Sequence, residues 1–147
     1  MKKRSKRLQV VLDLAERKRK QADQWLSQSQ SRVQQGEATL EQLRSYHADY
    51  ANSFYQVGAS GISPGQIETH QAFMQKLSGA VQQQEKALQT DRAQLEKVKE
   101  YWQSAYQHFK AVEMLVDKLR REESLQAEKQ LQKELDERSQ LIRPPFI

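Results

Sequence analysis

The sequence predicts an all-α protein: two long helices forming an antiparallel coiled-coil hairpin, with an unpaired C-terminal helical overhang. Three observations predict this fold, namely long heptad repeats, one cluster of helix-breaking residues near the middle, and a polar composition. Only 37% of the 147 residues are hydrophobic, and the mean hydropathy is −0.94. A compact domain of this length would bury a sizeable core. So polar a composition instead favours long helices or disorder.

An unbroken heptad pattern predicts helix one over about residues 5–57. The a positions are Leu12, Arg19, Leu26, Val33, Leu40, His47 and Phe54. The d positions are Leu8, Ala15, Ala22, Ser29, Gly36, Leu43, Tyr50 and Val57. Heptads sustained over this length are typical of coiled coils rather than of ordinary amphipathic helices.

The stretch "GASGISPG", residues 58–65, holds three of the five glycines and predicts a turn over residues 58–66. Glycine tolerates the left-handed conformation that ends a helix. Ser63 is a candidate cap for the second helix, and Pro64 suits a turn or a first helical turn. One reversal between two long helices makes a helical hairpin.

Heptads resume after the turn and predict helix two over about residues 67–142. One series is entirely apolar: Ile67, Met74, Val81, Leu88, Leu95, Trp102, Phe109 and Val116. The other is His70, Leu77, Gln84, Asp91, Val98, Ala105, Val112 and Leu119. Asp91 is a polar seam residue, which favours a role in fixing register. The whole chain, residues 1–147, is predicted to be one domain.

Side-chain sizes predict the register of the hairpin. When Val57 faces Ile67, facing residue numbers sum to 124, and the largest side chains of helix two meet the smallest of helix one. Leu88 then faces Gly36, Trp102 faces Ala22, and Phe109 faces Ala15. Interdigitated packing requires such complementarity.

The segment from residue 120 to residue 142, here called the C-terminal overhang, has no partner in this register. It is rich in helix formers and i,i+4 charge pairs, but its leucines are sparse. We expect a helix that frays when alone. The final "RPPFI" predicts the helix end, because proline disfavours helix in the residue before it.

Charge is concentrated at the start of the chain. The net charge is +5, yet residues 1–20 hold nine Lys or Arg and only two acidic residues. A basic segment of this kind binds nucleic acid, an acidic membrane surface or an acidic protein, or is simply solvated. The interruption of the apolar stretch by Asp13 and Glu16 predicts that the start is not a secretory signal.

The sequence predicts no enzyme. It has no cysteine, no phosphate-binding glycine loop and no nucleophile beside a credible base. The three histidines lack metal spacing, and we expect His47 and His70 to pack in the seam and His108 on its flank. We therefore expect no catalytic, cofactor-binding or metal-binding residue, and no transmembrane segment, since no apolar run reaches about 18 residues.

One flank of the seam is apolar and the other is polar. The e positions are mostly charged or amide residues, which we expect to be solvated. The g positions include Val11, Trp25, Tyr46, Phe73, Ala80, Ala87, Tyr101 and Leu115. Two interpretations stay open for the g flank: a slightly broadened core, or a docking strip for another protein.

Short motifs along the whole chain resemble the flagellar FliJ family. They are "LDLAERK" near the start, Tyr46-x-x-x-Tyr50, a Gly-Ile-Ser turn, and Phe73-x-x-x-Leu77-x-x-Ala80. The resemblance implies a stalk-like coiled coil of the type III export apparatus, needed for flagellum assembly and motility. It also implies assembly of the export ATPase ring, contact with the cytoplasmic domain of the export gate and escort of export chaperones. The location it implies is cytoplasmic, peripheral to the inner membrane at the flagellar base through its partners.

The resemblance also implies binding residues. The gate-binding patch, here called the tip patch, is Leu43, Tyr46, Tyr50, Phe73, Leu77 and Ala80. Gln84 stands where the family can carry histidine. The resemblance to a stalk places the ATPase ring against the end of the hairpin where both chain termini are expected. The residues assigned to this contact are Arg17, Lys18, Arg19, Lys20, Leu125, Leu131 and Leu135. Two alternatives stay open: the stalk of a non-flagellar type III secretion system, and a coiled coil that binds nucleic acid through its basic end, although nucleic-acid signatures are lacking.

Overall fold

The structure, a computed structural model, describes residues 3–58 and 61–142. Those residues form two helices, α1 (Arg4–Gly58) and α2 (Pro64–Ile142), and contain no strand. The helices pack against each other as a helical hairpin, so the predicted fold class is confirmed. Helix α1 begins one residue before its predicted start, and helix α2 begins three residues before its own predicted start.

The chain divides into two compact units, each containing a piece of both helices. The tip unit is Ala22–Trp102, and the terminal unit combines Met1–Gln21 with Gln103–Ile147. The packing of each unit is described separately below.

The tip unit has a small aliphatic core. Val33, Leu40 and Leu88 are buried, and Val81 and Leu95 pack against them. All five occupy predicted a positions. The seam therefore buries the side chains that the heptads assigned to it, as coiled-coil packing requires.

Two contacts confirm the predicted register inside the tip unit. A Cβ placed on Gly36 would lie 3.1 Å from Leu88 Cδ1, so the leucine packs directly on the glycine backbone. The rings of Phe54 and His70 stack with centroids 3.7 Å apart and planes 10° apart. Both pairs have residue numbers that sum to 124.

Trp102 and Ala22 belong to the same part of the tip unit, as the register predicts. Ala22 is completely buried. The indole Nε1 of Trp102 donates a hydrogen bond of 2.6 Å to Oδ1 of Asp23, the residue after Ala22. The Asp23 carboxylate thus satisfies the polar edge of the indole.

The turn is stabilised by a left-handed glycine and a capping box. Gly61 has φ +95° and donates its N–H to the carbonyl of Gly58 at 3.3 Å. Ser63 Oγ accepts from the Gln66 N–H at 3.3 Å, and Gln66 Oε1 accepts from the Ser63 N–H at 3.0 Å. This reciprocal cap confirms Ser63 as the cap and explains why α2 begins at Pro64.

The seam opens next to the turn. Val57 is 56% exposed and Ile67 is 39% exposed, although the register pairs them as the last layer. Ile62 instead packs near Gly58, its Cδ1 lying 3.2 Å from where a Cβ on that glycine would stand. The expected last layer is therefore only partly closed.

The terminal unit buries the ring of Phe109 together with several smaller apolar side chains. Its buried apolar residues are Ala15, Phe109, Val112, Val116 and Leu119. Arg19, a predicted seam residue, lies with its guanidinium carbon 5.0 Å from the centroid of the Phe109 ring. A cation over a ring face is favourable, so this contact helps the seam to accommodate the arginine.

Pairing in the terminal unit continues one turn further than the sequence predicts. Ser5 is buried. Its N–H and its hydroxyl both donate hydrogen bonds to the Glu123 carboxylate, at 3.1 Å and 2.5 Å respectively. Arg120 also donates to the side chain of Gln9. The prediction that the overhang is unpartnered from residue 120 was therefore wrong for its first turn, because polar contacts replace the missing heptads there.

The remainder of the C-terminal overhang is helical and exposed. Every residue from 124 to 142 lies on the surface. The predicted helix end at Arg143 and Pro144 falls outside the described residues.

Candidate partner-binding surfaces

Three aromatic rings dominate the tip patch. Tyr46 and Tyr50 project from α1, and Phe73 projects from α2. The two tyrosines are each 49% exposed and the phenylalanine is 41% exposed. The rings of Tyr50 and Phe73 touch, with centroids 4.6 Å apart and planes tilted by 47°. The two helices thus build one exposed aromatic surface.

The aliphatic members of the tip patch lie deeper than the rings. Leu43, Leu77 and Ala80 are half-buried. Sequence periodicity assigned Tyr50 to the seam, but its ring is half exposed and packs on Phe73 from outside. The patch is therefore a set of exposed rings supported by partly buried aliphatic groups, an arrangement suited to a protein contact.

A cleft of about 720 Å³ adjoins the tip patch on the side of the turn. It is lined by Tyr50, Ser63, Gly65, Gln66, Thr69, His70 and Phe73. Two patch rings form part of its wall. The hydroxyl of Thr69 donates to the Gly65 carbonyl at 3.0 Å, so this polar group is satisfied within the helix.

The e flank of the tip unit carries ion pairs between the helices. Arg44 pairs with Glu85 at 2.9 Å, and Arg92 pairs with Glu37 at 3.2 Å. The e positions were predicted to be solvated, and this pairing between the helices was not predicted. In each pair, two opposite charges occupy e positions whose residue numbers sum to 129. This regular pairing of opposite charges could have been found in the sequence. The bridges are exposed, so their contribution is small, but they help to set the register.

The four basic residues at 17–20 have different environments. Lys20 pairs with Glu16 at 3.4 Å within α1, and Arg19 lies over Phe109. Arg17 and Lys18 are exposed. Two of the four predicted binding cations therefore already have contacts within the chain.

The leucines of the C-terminal overhang are accessible. Leu125 is 56% exposed, Leu131 is 58% exposed and Leu135 is 50% exposed. A second cleft, of about 460 Å³, lies where α2 enters this segment. Its walls include Met114, Leu115 and Leu125. Apolar side chains are thus available to a partner along this helix.

Comparison with known protein families decides the assignment. The sequence model described as flagellar FliJ protein matches residues 4–142, nearly the full chain. The chain belongs to the flagellar FliJ family. No curated protein and no solved structure matches this FliJ-family chain significantly. Membership makes it a component of the flagellar export apparatus, which favours the flagellar assignment over the two alternatives left open by the sequence.

Two of the three histidines of this FliJ-family chain take part in packing or hydrogen bonding. His47 Nε2 lies 3.2 Å from the hydroxyl of Ser78, and His70 stacks on Phe54. His108 is exposed. Within residues 3–58 and 61–142, no group of three or more His, Asp or Glu side chains is placed to hold a metal ion. Neither described helix has an apolar stretch long enough to cross a bilayer.

One carboxyl group in this FliJ-family chain has a shifted pKa. The hydroxyl and the N–H of Ser5 both donate to Glu123 and hold the pKa of its carboxyl below the usual 4.5, although partial burial opposes the shift. Lys3 and Arg120 lower the pKa further through their positive charges. The two hydrogen bonds at the start of α1 therefore favour the ionised carboxylate, as expected for an anion at a helix N-terminus.

Proposed function

We propose that this FliJ-family chain connects the export ATPase ring to the export gate and escorts export chaperones, without catalysing a reaction itself. The observation that carries this proposal is the exposed ring cluster of Tyr46, Tyr50 and Phe73 in the tip unit. Exposed clustered aromatic side chains are typical anchors of protein interfaces. The cluster lies in a different compact unit from the exposed leucine helix, so the chain offers two separate surfaces.

The tip patch is the proposed contact with the cytoplasmic domain of the export gate. Its rings supply apolar area, and Leu43, Leu77 and Ala80 complete the surface at lower exposure. The Tyr46 hydroxyl, which accepts from Gln42 at 3.3 Å, keeps a polar edge for directional contacts. Tyrosine combines a large rigid ring with such a polar edge, which suits an interface that must stay soluble when unbound.

The terminal unit is the proposed contact with the ATPase ring. Leu125, Leu131 and Leu135 are the apolar contacts, and the exposed Arg17 and Lys18 provide positive charge. An exposed helix with sparse leucines gains order when a partner covers it. The charges would steer docking and make it sensitive to salt.

The proposed location is the cytoplasmic side of the inner membrane at the flagellar base. The chain reaches the membrane through its partners, since neither described helix can span a bilayer. Export chaperones are proposed as further partners, in keeping with family membership.

A binding assay with the cytoplasmic domain of the export gate tests the proposed function. Replacing Tyr46 and Phe73 together by alanine removes two rings and should weaken binding by a few kcal/mol while helicity is retained. Tyr55→Ala is the matched control, because Tyr55 also lies on α1 near the turn, is 80% exposed and is not part of the tip patch. Equal binding by the double variant and the wild type contradicts the proposal, and loss of helicity with binding indicates a broadened core.

A further inference from the structure

The tip unit has a further surface whose composition differs from that of the tip patch and from that of the exposed leucines of the terminal unit. It is a cleft of about 410 Å³, here called the Trp25–Tyr101 cleft. The residues that line it are Trp25, Gln28, Ser29, Arg32, Gln94, Lys97, Val98 and Tyr101. None of them is a member of the tip patch, and none carries a negative charge.

Two aromatic rings form one end of the cleft. Trp25 on α1 is 41% exposed, and Tyr101 on α2 is 42% exposed. Their centroids are 5.4 Å apart and their planes are tilted by 45°. Val98 and Ser29, both half-buried, lie in the lining as seam residues. An apolar side chain that enters the cleft would therefore meet two rings and an aliphatic group.

Among the described residues, two cations at the cleft have no ion-pair partner. Arg32 and Lys97 are exposed, and neither pairs with a carboxylate of residues 3–58 or 61–142. On the e flank of the same unit, by contrast, Arg44 and Arg92 are each paired with a glutamate of the other helix. The positive charge at the cleft is thus left uncompensated beside exposed aromatic area.

We propose that the Trp25–Tyr101 cleft is the docking site for an acidic amphipathic helix of a partner protein. An apolar side chain of that helix occupies the space beside the two rings, and its carboxylates pair with Arg32 and Lys97. Complementary charge of this kind sets the orientation and the rate of association. The proposal does not depend on the gate and ATPase assignments, because it uses none of their residues.

The spacing of the two cations fits a helix. Facing residues sum to 124, which places Lys97 level with Ser27, five residues from Arg32 along α1. At about 1.5 Å per residue the axial separation is roughly 7.5 Å, which lies between the rise of an i,i+4 pair, about 6 Å, and that of an i,i+7 pair, about 10.5 Å. The lining residues Trp25 and Arg32, like Gln94 and Tyr101, are seven residues apart, so a helix packed along the flank meets them at heptad intervals. Single-stranded nucleic acid fits less well, because two cations neutralise only two phosphates.

The experiment measures the binding of a designed, fluorescein-labelled helical peptide by fluorescence anisotropy. The peptide carries a leucine stripe flanked by glutamates at i and i+4. Wild-type protein should bind it saturably, and the affinity should fall as salt is added. The double variant R32E/K97E should bind at least about tenfold more weakly, the equivalent of about 1.4 kcal/mol. A peptide with lysines in place of the glutamates should bind that variant better than it binds wild type.

The matched control is K86E/K99E, which changes the net charge by the same amount at exposed positions of α2 outside the cleft. Its affinity should equal that of wild type, and circular dichroism checks the helicity of each variant. If the R32E/K97E variant unfolds, the neutral variant R32Q/K97Q is measured in its place. The proposal is overturned if wild type does not bind the peptide, if the control loses affinity equally, or if oligouridine binds through Arg32 and Lys97 while the peptide does not.

Discussion

Leu88 packs so closely on Gly36 that a Cβ on residue 36 would lie only 3.1 Å from the leucine Cδ1. Leu88 is 2% exposed, so its side chain has little room to move. The glycine is therefore needed for close approach of the two helices, at a position where glycine is otherwise unfavourable in a helix.

The first prediction compares two alanine substitutions. Gly79 lies inside α2 with nothing within 4 Å of an added Cβ, so Gly79→Ala should stabilise the fold by about 1 kcal/mol through helix propensity. Gly36→Ala has the same propensity gain, but overpacking against Leu88 should cancel or exceed it, typically by about 1–3 kcal/mol. Urea unfolding measures both. Equal stabilisation by the two substitutions would show that the Gly36 contact is not tight.

The second prediction concerns the hydrogen bond from Trp102 to Asp23. Trp102→Phe and Asp23→Ala should each destabilise the fold, and a double-mutant cycle should give a coupling free energy on the order of 1.5 kcal/mol, because the acceptor is charged. Trp25→Phe combined with Asp23→Ala is the control, since Trp25 contacts Tyr101 instead. Additive effects for the Trp102 pair would contradict the 2.6 Å bond.

The third prediction is a pH dependence at Glu123. Ser5 lowers the pKa of this carboxyl below 4.5 in the folded chain. A carboxyl with a lowered folded pKa stabilises the fold fully above its unfolded pKa, and this stabilisation is lost as pH falls through the folded value. The melting temperature of wild type should therefore exceed that of Glu123→Gln at neutral pH, and the gap should close below about pH 4.5.

The control for the pH experiment is Glu122→Gln, because Glu122 is an exposed neighbour on the same helix. Its melting temperature should track that of wild type across the titration. A gap for Glu123→Gln that stays constant down to low pH would mean that the contact with Ser5 does not depend on the ionised carboxylate.

The sequence predicts the apolar seam well, because heptad spacing and side-chain volume are both encoded locally. Leu88 on Gly36 and His70 on Phe54 follow directly from the pattern. The contact between Ser5 and Glu123 does not, since it lies beyond the heptads and depends on a hydroxyl and a carboxylate meeting across the helices. Polar contacts at the end of a seam leave no periodic signal.

For the candidate sites, spacing predicted the helix face of each residue but not always the exposure of its side chain. Spacing assigned Tyr46 and Phe73 to the g flank, for which a broadened core and a docking strip both stayed open, and the two side chains are 49% and 41% exposed. Tyr50 was assigned to the seam by spacing, but the hairpin opens toward the turn and its ring turns outward onto Phe73. Arg19 was taken as an available cation, whereas its guanidinium lies over Phe109. Spacing assigns a face of a helix, but the separation of the two helices decides how far a side chain is exposed.

The fourth prediction concerns the stability of a truncated chain. Deleting residues 126–147 removes an exposed helix whose described part, residues 126–142, has no buried side chain. The melting temperature should change little, because no seam layer is lost, and the helical signal per residue should stay high. A large drop in melting temperature would mean that the C-terminal overhang supports the hairpin, and calorimetry distinguishes the two outcomes.

We propose that separate surfaces of this chain bind the export gate and the export ATPase, and a truncated protein can distinguish the two. The measurement is stimulation of the export ATPase by the chain without residues 126–147, with the Tyr46→Ala/Phe73→Ala variant assayed in parallel. We expect the truncated chain to lose stimulation, because Leu131 and Leu135 are gone, and the tip variant to keep it. Full stimulation by the truncated chain would show that residues 126–147 do not contact the ATPase.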